Sequence, residues 1–155
     1  MKELTPDFLT SLMREALVQA NAGKASKEVP VGAVIAHSDK IIASAHNQVE
    51  SDKDASAHAE TLAIGRAGAE IGNWRLSDCI LCVTLEPCPM CAGAIRLARI
   101  PAVVYGASDE RLGAFGSRYD LSLDDAFGEK PRVISCICED ECAEILKDFF
   151  ASRRK

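Results

Sequence analysis

The sequence lacks any run of about 18 apolar residues, so nothing in it reads as a membrane span. The stretch Met1-Lys2-Glu3-Leu4-Thr5-Pro6-Asp7 has no apolar h-region of a secretory signal, so a cytoplasmic protein is expected. Positive charge is not in excess: 18 Lys+Arg face 23 Asp+Glu, a net charge of −5, which excludes a broadly basic nucleic-acid clamp and leaves room only for a local basic patch. Internal repeats, low-complexity segments and linkers are also missing. What is present is ordinary globular usage, 48% hydrophobic and 26% charged, which excludes a disordered or fibrous chain. A length of 155 residues implies a single domain spanning 1–155, long enough to bury a core without disulfide staples.

The seven cysteines are an odd number, and in a reducing compartment they do not read as a disulfide framework. Cys79, Cys82, Cys136, Cys138 and Cys142 sit in or beside apolar runs and are expected to pack as small core residues. Cys88 and Cys91 stand apart, in Pro87-Cys88-Pro89-Met90-Cys91.

Thr5-Pro6-Asp7 predicts a helix start, with Phe8, Leu12, Met13, Ala16, Leu17 and Ala20 at helical spacing and Gly23 at the stop. Val31–Ala36 and Lys40–His46 read as strands of a hairpin about Ser38-Asp39-Lys40. A polar loop from about Gln48 to Ala55 leads to a helix over Ala57–Ala69 that ends near Gly72-Asn73. Cys79–Leu85 reads as a buried strand, Pro89–Ala98 as a helix, and Ala102–Gly106 as a strand. Asp109–Phe127, rich in Gly, Ser and Asp, reads as loop with short helical turns, and Val133–Cys138 as the last strand. Cys142, Ile145, Leu146, Phe149 and Phe150 make an apolar stripe on a final helix. Strands alternating with helices predict an α/β fold with a helix-covered, partly parallel sheet opened by an antiparallel hairpin.

Two segments carry chemistry, Ala57-His58-Ala59-Glu60 and Pro87-Cys88-Pro89-Met90-Cys91, each at a predicted helix N-terminus. Three-residue spacing puts Cys88 and Cys91 on one face of the first turn, where free N–H groups and the helix dipole favour thiolates. His58 and Glu60 are two apart and can address one point only beyond the helix end, so the pattern predicts two helix N-termini converging on one site. Two thiolates and an imidazole suit zinc. A structural zinc site uses four protein ligands, whereas a catalytic one leaves the fourth position to water. Three ligands are found here, His58, Cys88 and Cys91, with Glu60 beside them to carry protons, which implies hydrolytic attack on an electrophilic centre.

Each feature alone has a plainer explanation: a packed histidine, a solvated first-turn acid, a redox pair, or half of a structural zinc site completed by Cys79 or Cys82. Together, His-x-Glu followed by Pro-Cys-x-x-Cys, both opening helices, is the signature of zinc nucleobase deaminases. With these residues the chain resembles the cytidine-deaminase-like superfamily and, within it, bacterial tRNA-specific adenosine deaminases. The resemblance runs from about Glu28 to Arg154 and is carried by Glu28–Val34, Ala57–Glu60, Asn73–Leu76, Thr84–Ala94, Val104–Ala107 with Asp109, Gly113–Ser117 and Glu141-Cys142-Ala143.

That resemblance implies a three-layer α/β/α sandwich around a five-stranded mixed sheet. It further implies a homodimer with each active site near the interface, one Zn2+ per subunit, and conversion of a wobble adenosine to inosine in a tRNA anticodon stem-loop. By position, His58, Cys88 and Cys91 bind zinc, Glu60 is the proton donor and acceptor, and Asn47 contacts the target nucleoside. Val31 and the backbone around Ala59 and Glu86 line the base pocket. Phe149 and Phe150 anchor the last helix. Phe149, Arg153, Arg154 and Lys155 at its end, with Asp109, Arg111 and Arg118 in the Gly-rich loop, are the candidate RNA contacts; the terminal cations alternatively complement the helix dipole. Three rivals stand beside this reading: a deaminase of a free base or nucleoside, a thiol redox protein using Cys88 and Cys91, and a non-catalytic zinc-stabilised binding module.

Overall fold

A computed structural model describes residues 2–153. Helix α1 (Pro6–Ala25) starts as expected: the Thr5 hydroxyl accepts from the Phe8 amide at 3.2 Å and Pro6 fills the first helical position. Its inner face buries Phe8, Leu12, Met13, Ala16, Leu17 and Ala20. The helix does not stop at Gly23. It runs to Ala25 and is closed by Lys27 in the left-handed region (φ 62°), while Gly23 lies against His46, whose Cβ would be 3.2 Å from an added side chain.

Strands β1 (Gly32–His37) and β2 (Lys40–His46) form the expected antiparallel hairpin. Gly32 lets α1 rest directly on β1, since a Cβ there would fall 2.0 Å from the Ala16 carbonyl oxygen. The polar segment after β2 contains one short helix, α2 (Val49–Asp52), closed by Lys53 at φ 50°. Helix α3 (Ala59–Ile71) has His58 at its N-cap and ends on Gly72 in the left-handed conformation. Strand β3 (Cys79–Leu85), helix α4 (Pro89–Leu97), strand β4 (Ala102–Ala107), strand β5 (Arg132–Ile134) and helix α5 (Glu139–Arg153) follow.

The sheet order is β2-β1-β3-β4-β5, with β1 antiparallel to β2 and β3, and β3, β4 and β5 parallel. Along β3, Cys79, Leu81 and Val83 face a core layer shared with α3 and α4. Ile80 and Cys82 face a second layer shared with α1 and α5. A strand covered on both faces reads as one continuous apolar run, as Cys79–Leu85 does. The result is the three-layer α/β/α sandwich on a five-stranded mixed sheet.

The last strand is shorter than its apolar pattern predicts. It ends at Ile134, because Cys136 (φ 66°) and Cys138 (φ 52°) are both left-handed and turn the chain into α5. These two cysteines are not core residues either: Cys136 is exposed and Cys138 half-buried, whereas Cys79, Cys82 and Cys142 are buried as expected. On α5 the buried stripe narrows to Cys142, Ile145 and Phe149, with Phe150 exposed. The long segment between β4 and β5 holds one turn of 3-10 helix, Asp125–Phe127. It is tied down by the buried Arg96 of α4, whose guanidinium donates to the carbonyls of Leu121, Gly128 (3.3 Å) and Glu129 (3.4 Å).

Candidate active site

Register places the site. The start of β1 lies beside the end of β2 and the end of β3, and the end of β3 lies beside the end of β4. The residues just outside these strand ends, Val31, Asn47, Glu86 and Asp109, therefore gather at one end of the sheet, where they line a cavity of about 250 Å³. The N-termini of α3 and α4 open onto the same place, so His58 and Cys88, the two N-cap residues, come together although they are far apart in sequence.

The His58 Nδ1 atom lies 3.6 Å from Cys88 Sγ and 3.4 Å from Cys91 Sγ. All three donor atoms fall within 4.8 Å of one another. Tetrahedral bonds of about 2.3 Å to sulfur and about 2.0–2.1 Å to nitrogen set a sulfur–nitrogen separation of about 3.6 Å, so the spacing fits a zinc ion. Among the described residues this is the only group of three or more such donors with metal-holding geometry. Cys79 and Cys82 do not complete it. Both are buried in strand β3, and Cys82 Sγ lies 3.9 Å from Met13 Sδ in the layer beneath the sheet.

Charge follows the same geometry. The Cys91 thiol hydrogen-bonds Cys88, and with His58 it brings the Cys88 thiol down to about 4, against the opposing effect of burial. Cys91 moves upward as that bond's donor and through burial. His58 is raised by its bond to Cys88. Metal ligands must be deprotonated, so zinc binding here displaces the remaining thiol proton. Glu60 is almost fully buried, and that burial pushes its carboxyl up to about 7.

Residues 7–107 match the family described as the cytidine and deoxycytidylate deaminase zinc-binding region. The chain is 43% identical to a tRNA-specific adenosine deaminase of Bacillus subtilis (strain 168) over 92% of its own length and 89% of that protein's. The chain belongs to this zinc-binding deaminase family, in its tRNA-specific adenosine deaminase branch. It also superposes, at a TM-score of 0.85 and 41% identity, on a structure from studies of A-to-I editing by tRNA:A34 deaminases at the wobble position of transfer RNA, covering 88% of this chain and 99% of that one. A guanine deaminase of Bacillus subtilis matches at a TM-score of 0.61 and 43% identity, over 63% of each chain.

The structure brings together most of the residues singled out in the sequence. His58, Ala59, Glu60 and Cys88 line the cavity with Val31 and Asn47, while Cys91 is buried beside them. The Asn47 backbone is fixed by its amide bond to Val31 O at 3.1 Å, but its Oδ1 atom is buried without a hydrogen-bond partner. Asp109, Arg111 and Arg153 lie at the cavity's edge. Phe149, 5% exposed on the inner face of α5 with the Arg153 guanidinium 5.0 Å from its ring, anchors the helix as expected and leaves little of its ring open to RNA, whereas Phe150 is exposed and does not anchor it. Arg118 is exposed on the loop. Arg154 and Lys155 lie outside the described residues.

Sequence reasoning missed Glu28 as a buried group. Its carboxylate accepts from the amides of Glu50 (3.0 Å) and Ser51 (2.7 Å) and from the Ser51 hydroxyl (2.5 Å), fastening the loop that follows Asn47. Burial pushes this carboxyl up, but the Ser51 and Glu50 bonds outweigh it and the net displacement is downward. A glutamate after a helix reads as solvated, and no periodicity signals otherwise. Among the described residues no helix is long and apolar enough to cross a membrane.

Proposed function

We propose that this chain hydrolytically deaminates adenosine to inosine at the wobble position of a tRNA anticodon loop, with His58, Cys88 and Cys91 holding one zinc ion and Glu60 moving protons. The observation that carries this reading is the set of three donors at zinc spacing with a buried carboxyl in the same cavity. Its support for tRNA is the 43% identity to the Bacillus tRNA-specific adenosine deaminase along nearly the whole chain.

Zinc, which His58, Cys88 and Cys91 would hold, would supply an acidified water, its pKa lowered from 15.7 to about 7. Glu60 takes one proton from the attacking water and delivers it to N1 of adenine as the oxygen adds to C6. It then takes the second proton, from the hydroxyl now on C6, and passes it to the amine, which leaves as ammonia while C6 becomes the carbonyl carbon of inosine. A carboxyl lifted by burial toward neutrality both accepts and releases protons at working pH. The unpaired Asn47 Oδ1 accepts a hydrogen bond from the bound nucleoside, which removes the cost of a buried acceptor left without a partner. The base has to leave its stack to enter the cavity, a smaller cost in a single-stranded loop. Arg111 and Arg153 at the edge offer phosphate contacts that the net charge of −5 does not forbid, because they are local.

The working form is a homodimer in the cytoplasm. Met90 and Leu97, seven residues apart on α4, are exposed, and Trp74 and Ile71 near the end of α3 are exposed too; a second copy would cover them. Leu97→Glu should then convert the sedimenting dimer to single chains. A chain with no disulfide among its seven cysteines suits a reducing compartment.

The decisive assay offers zinc-loaded protein an anticodon stem-loop with adenosine at the wobble position and, separately, free guanine and cytidine. Inosine in the stem-loop is expected. Deamination of a free base with none in the RNA would favour the free-base rival.

A further inference from the structure

Glu86 stands in the turn between β3 and α4, directly ahead of Pro87 and the ligand Cys88, and it is 2% exposed. Both carboxylate oxygens are in use. Oε1 accepts from the Asp109 amide at 3.1 Å and from the Ser117 hydroxyl. Oε2 accepts from the amides of Phe115 and Ser117, each at 3.1 Å. Among the described residues no cation pairs with it. All the donors belong to one loop, residues 109–117.

The backbone reinforces the same junction. The Glu86 amide donates to Ala107 O, and the Ala114 amide donates to Pro87 O, both at 2.8 Å. Gly113 lies against the carboxylate, where a Cβ would fall 2.4 Å from Glu86 Cδ and 2.4 Å from the Asp109 carbonyl oxygen. The loop is moulded around this one anion. Within it, Asp109 Oδ1 accepts from the amides of Arg111 (3.0 Å) and Leu112 (3.2 Å), and these three residues form one wall of the cavity.

We infer that Glu86 is a positioning residue: its buried carboxylate bolts the 109–117 wall to the turn that carries Cys88, and so sets the width of the cavity mouth that admits the nucleotides around the target base. The inference rests on the deaminase reading for its kinetic consequence only; the tether itself does not depend on the substrate. A glutamine cannot substitute. It would turn an NH2 group toward donors that need an acceptor, leaving buried amides unpaired.

The test is Glu86→Gln, followed by amide hydrogen exchange and steady-state kinetics on the anticodon stem-loop. Exchange should quicken at Phe115 and Ser117 and across residues 109–117, with α3 and β3 unchanged and zinc still one per chain. KM should rise about tenfold while kcat stays within about threefold, the size expected when hydrogen bonds to a charged group are lost at a binding wall. Unchanged exchange in the loop would overturn the tether. Exchange that quickens everywhere, or a fall in kcat in step with zinc content at constant KM, would reduce Glu86 to general stability and also overturn it. If the variant does not fold, Ser117→Ala removes only the hydroxyl donor and should give the same loop-confined exchange with a KM about threefold higher; a wild-type profile in both would sink the inference. Should the wild-type protein itself form no inosine, the assigned function fails, and the exchange data still decide the tether.

Discussion

Helices α4 and α5 both begin on closely spaced cysteines, Cys88 and Cys91 at one and Cys138 and Cys142 at the other, with Cys136 just ahead. At α4 a second helix, α3, points its N-terminus at the sulfurs, so the imidazole of His58 arrives 3.4 and 3.6 Å away and Glu60 is buried close by. At α5 no third metal donor converges among the described residues. Its first turn carries Glu139, Asp140 and Glu141, with Glu141 paired to Arg14 on α1. Cys142 packs into the core layer under α1, and burial pushes its thiol up to about 12. Cysteine spacing at a helix start is thus a shared feature, and a third donor delivered by another element is what separates a metal centre from packing.

The sharpest way to break that contrast is to exchange the outcomes by substitution. Cys88→Ala or His58→Ala should abolish both zinc binding and deamination, while Cys136→Ala leaves zinc stoichiometry and rate at wild-type values. Elemental analysis with a rate measurement on each variant checks this, and a zinc-replete Cys88→Ala protein would place the metal elsewhere.

Metal removal gives a second, graded contrast. A low-pKa thiolate reacts with alkylating reagents below neutrality, and a thiol held near 12 does not. With zinc bound, labelling at pH 8 should reach the exposed Cys136 and spare Cys82 and Cys142. After chelation, Cys88 should join the labelled set and remain labelled at pH 6, because its thiol lies down at about 4 and is deprotonated at that pH. Peptide mapping reads the order directly, and protection of Cys88 after chelation would contradict the site's charge state.

The smallest effect belongs to the packing side. Cys142→Ala removes a sulfur that lies close to Gly106, where an added Cβ would meet Cys142 Sγ at 2.4 Å. It should lower stability by about 1–2 kcal/mol in a denaturant titration without changing zinc content. A stability loss accompanied by lost metal would mean that the two helix starts are not independent.

The same contrast explains what could be read from the sequence. His58, Glu60, Cys88 and Cys91 were legible because each sits at a helix start whose signals are local: Pro89 at the first helical position, and a short residue spacing. The hairpin of β1 and β2, and the doubly buried β3, were legible from apolar runs and one turn. Strand β5 was overrun because nothing local marks Cys136 and Cys138 as left-handed; glycine or asparagine would have. Phe150 misled because a helix stripe shows which residues share a face and not which of its edge positions meet core or solvent. Glu28, Arg96 and the role of the Glu86 carboxylate escaped because their partners lie in distant loops, brought close only by the tertiary fold.

The most direct test of the central claim puts metal content and turnover on one preparation of Glu60→Ala. The account predicts one zinc per chain and a rate of inosine formation lower by about a hundredfold or more, the usual effect of losing a general acid–base group. Inosine formed at the wild-type rate, or loss of zinc together with the carboxyl, would contradict it.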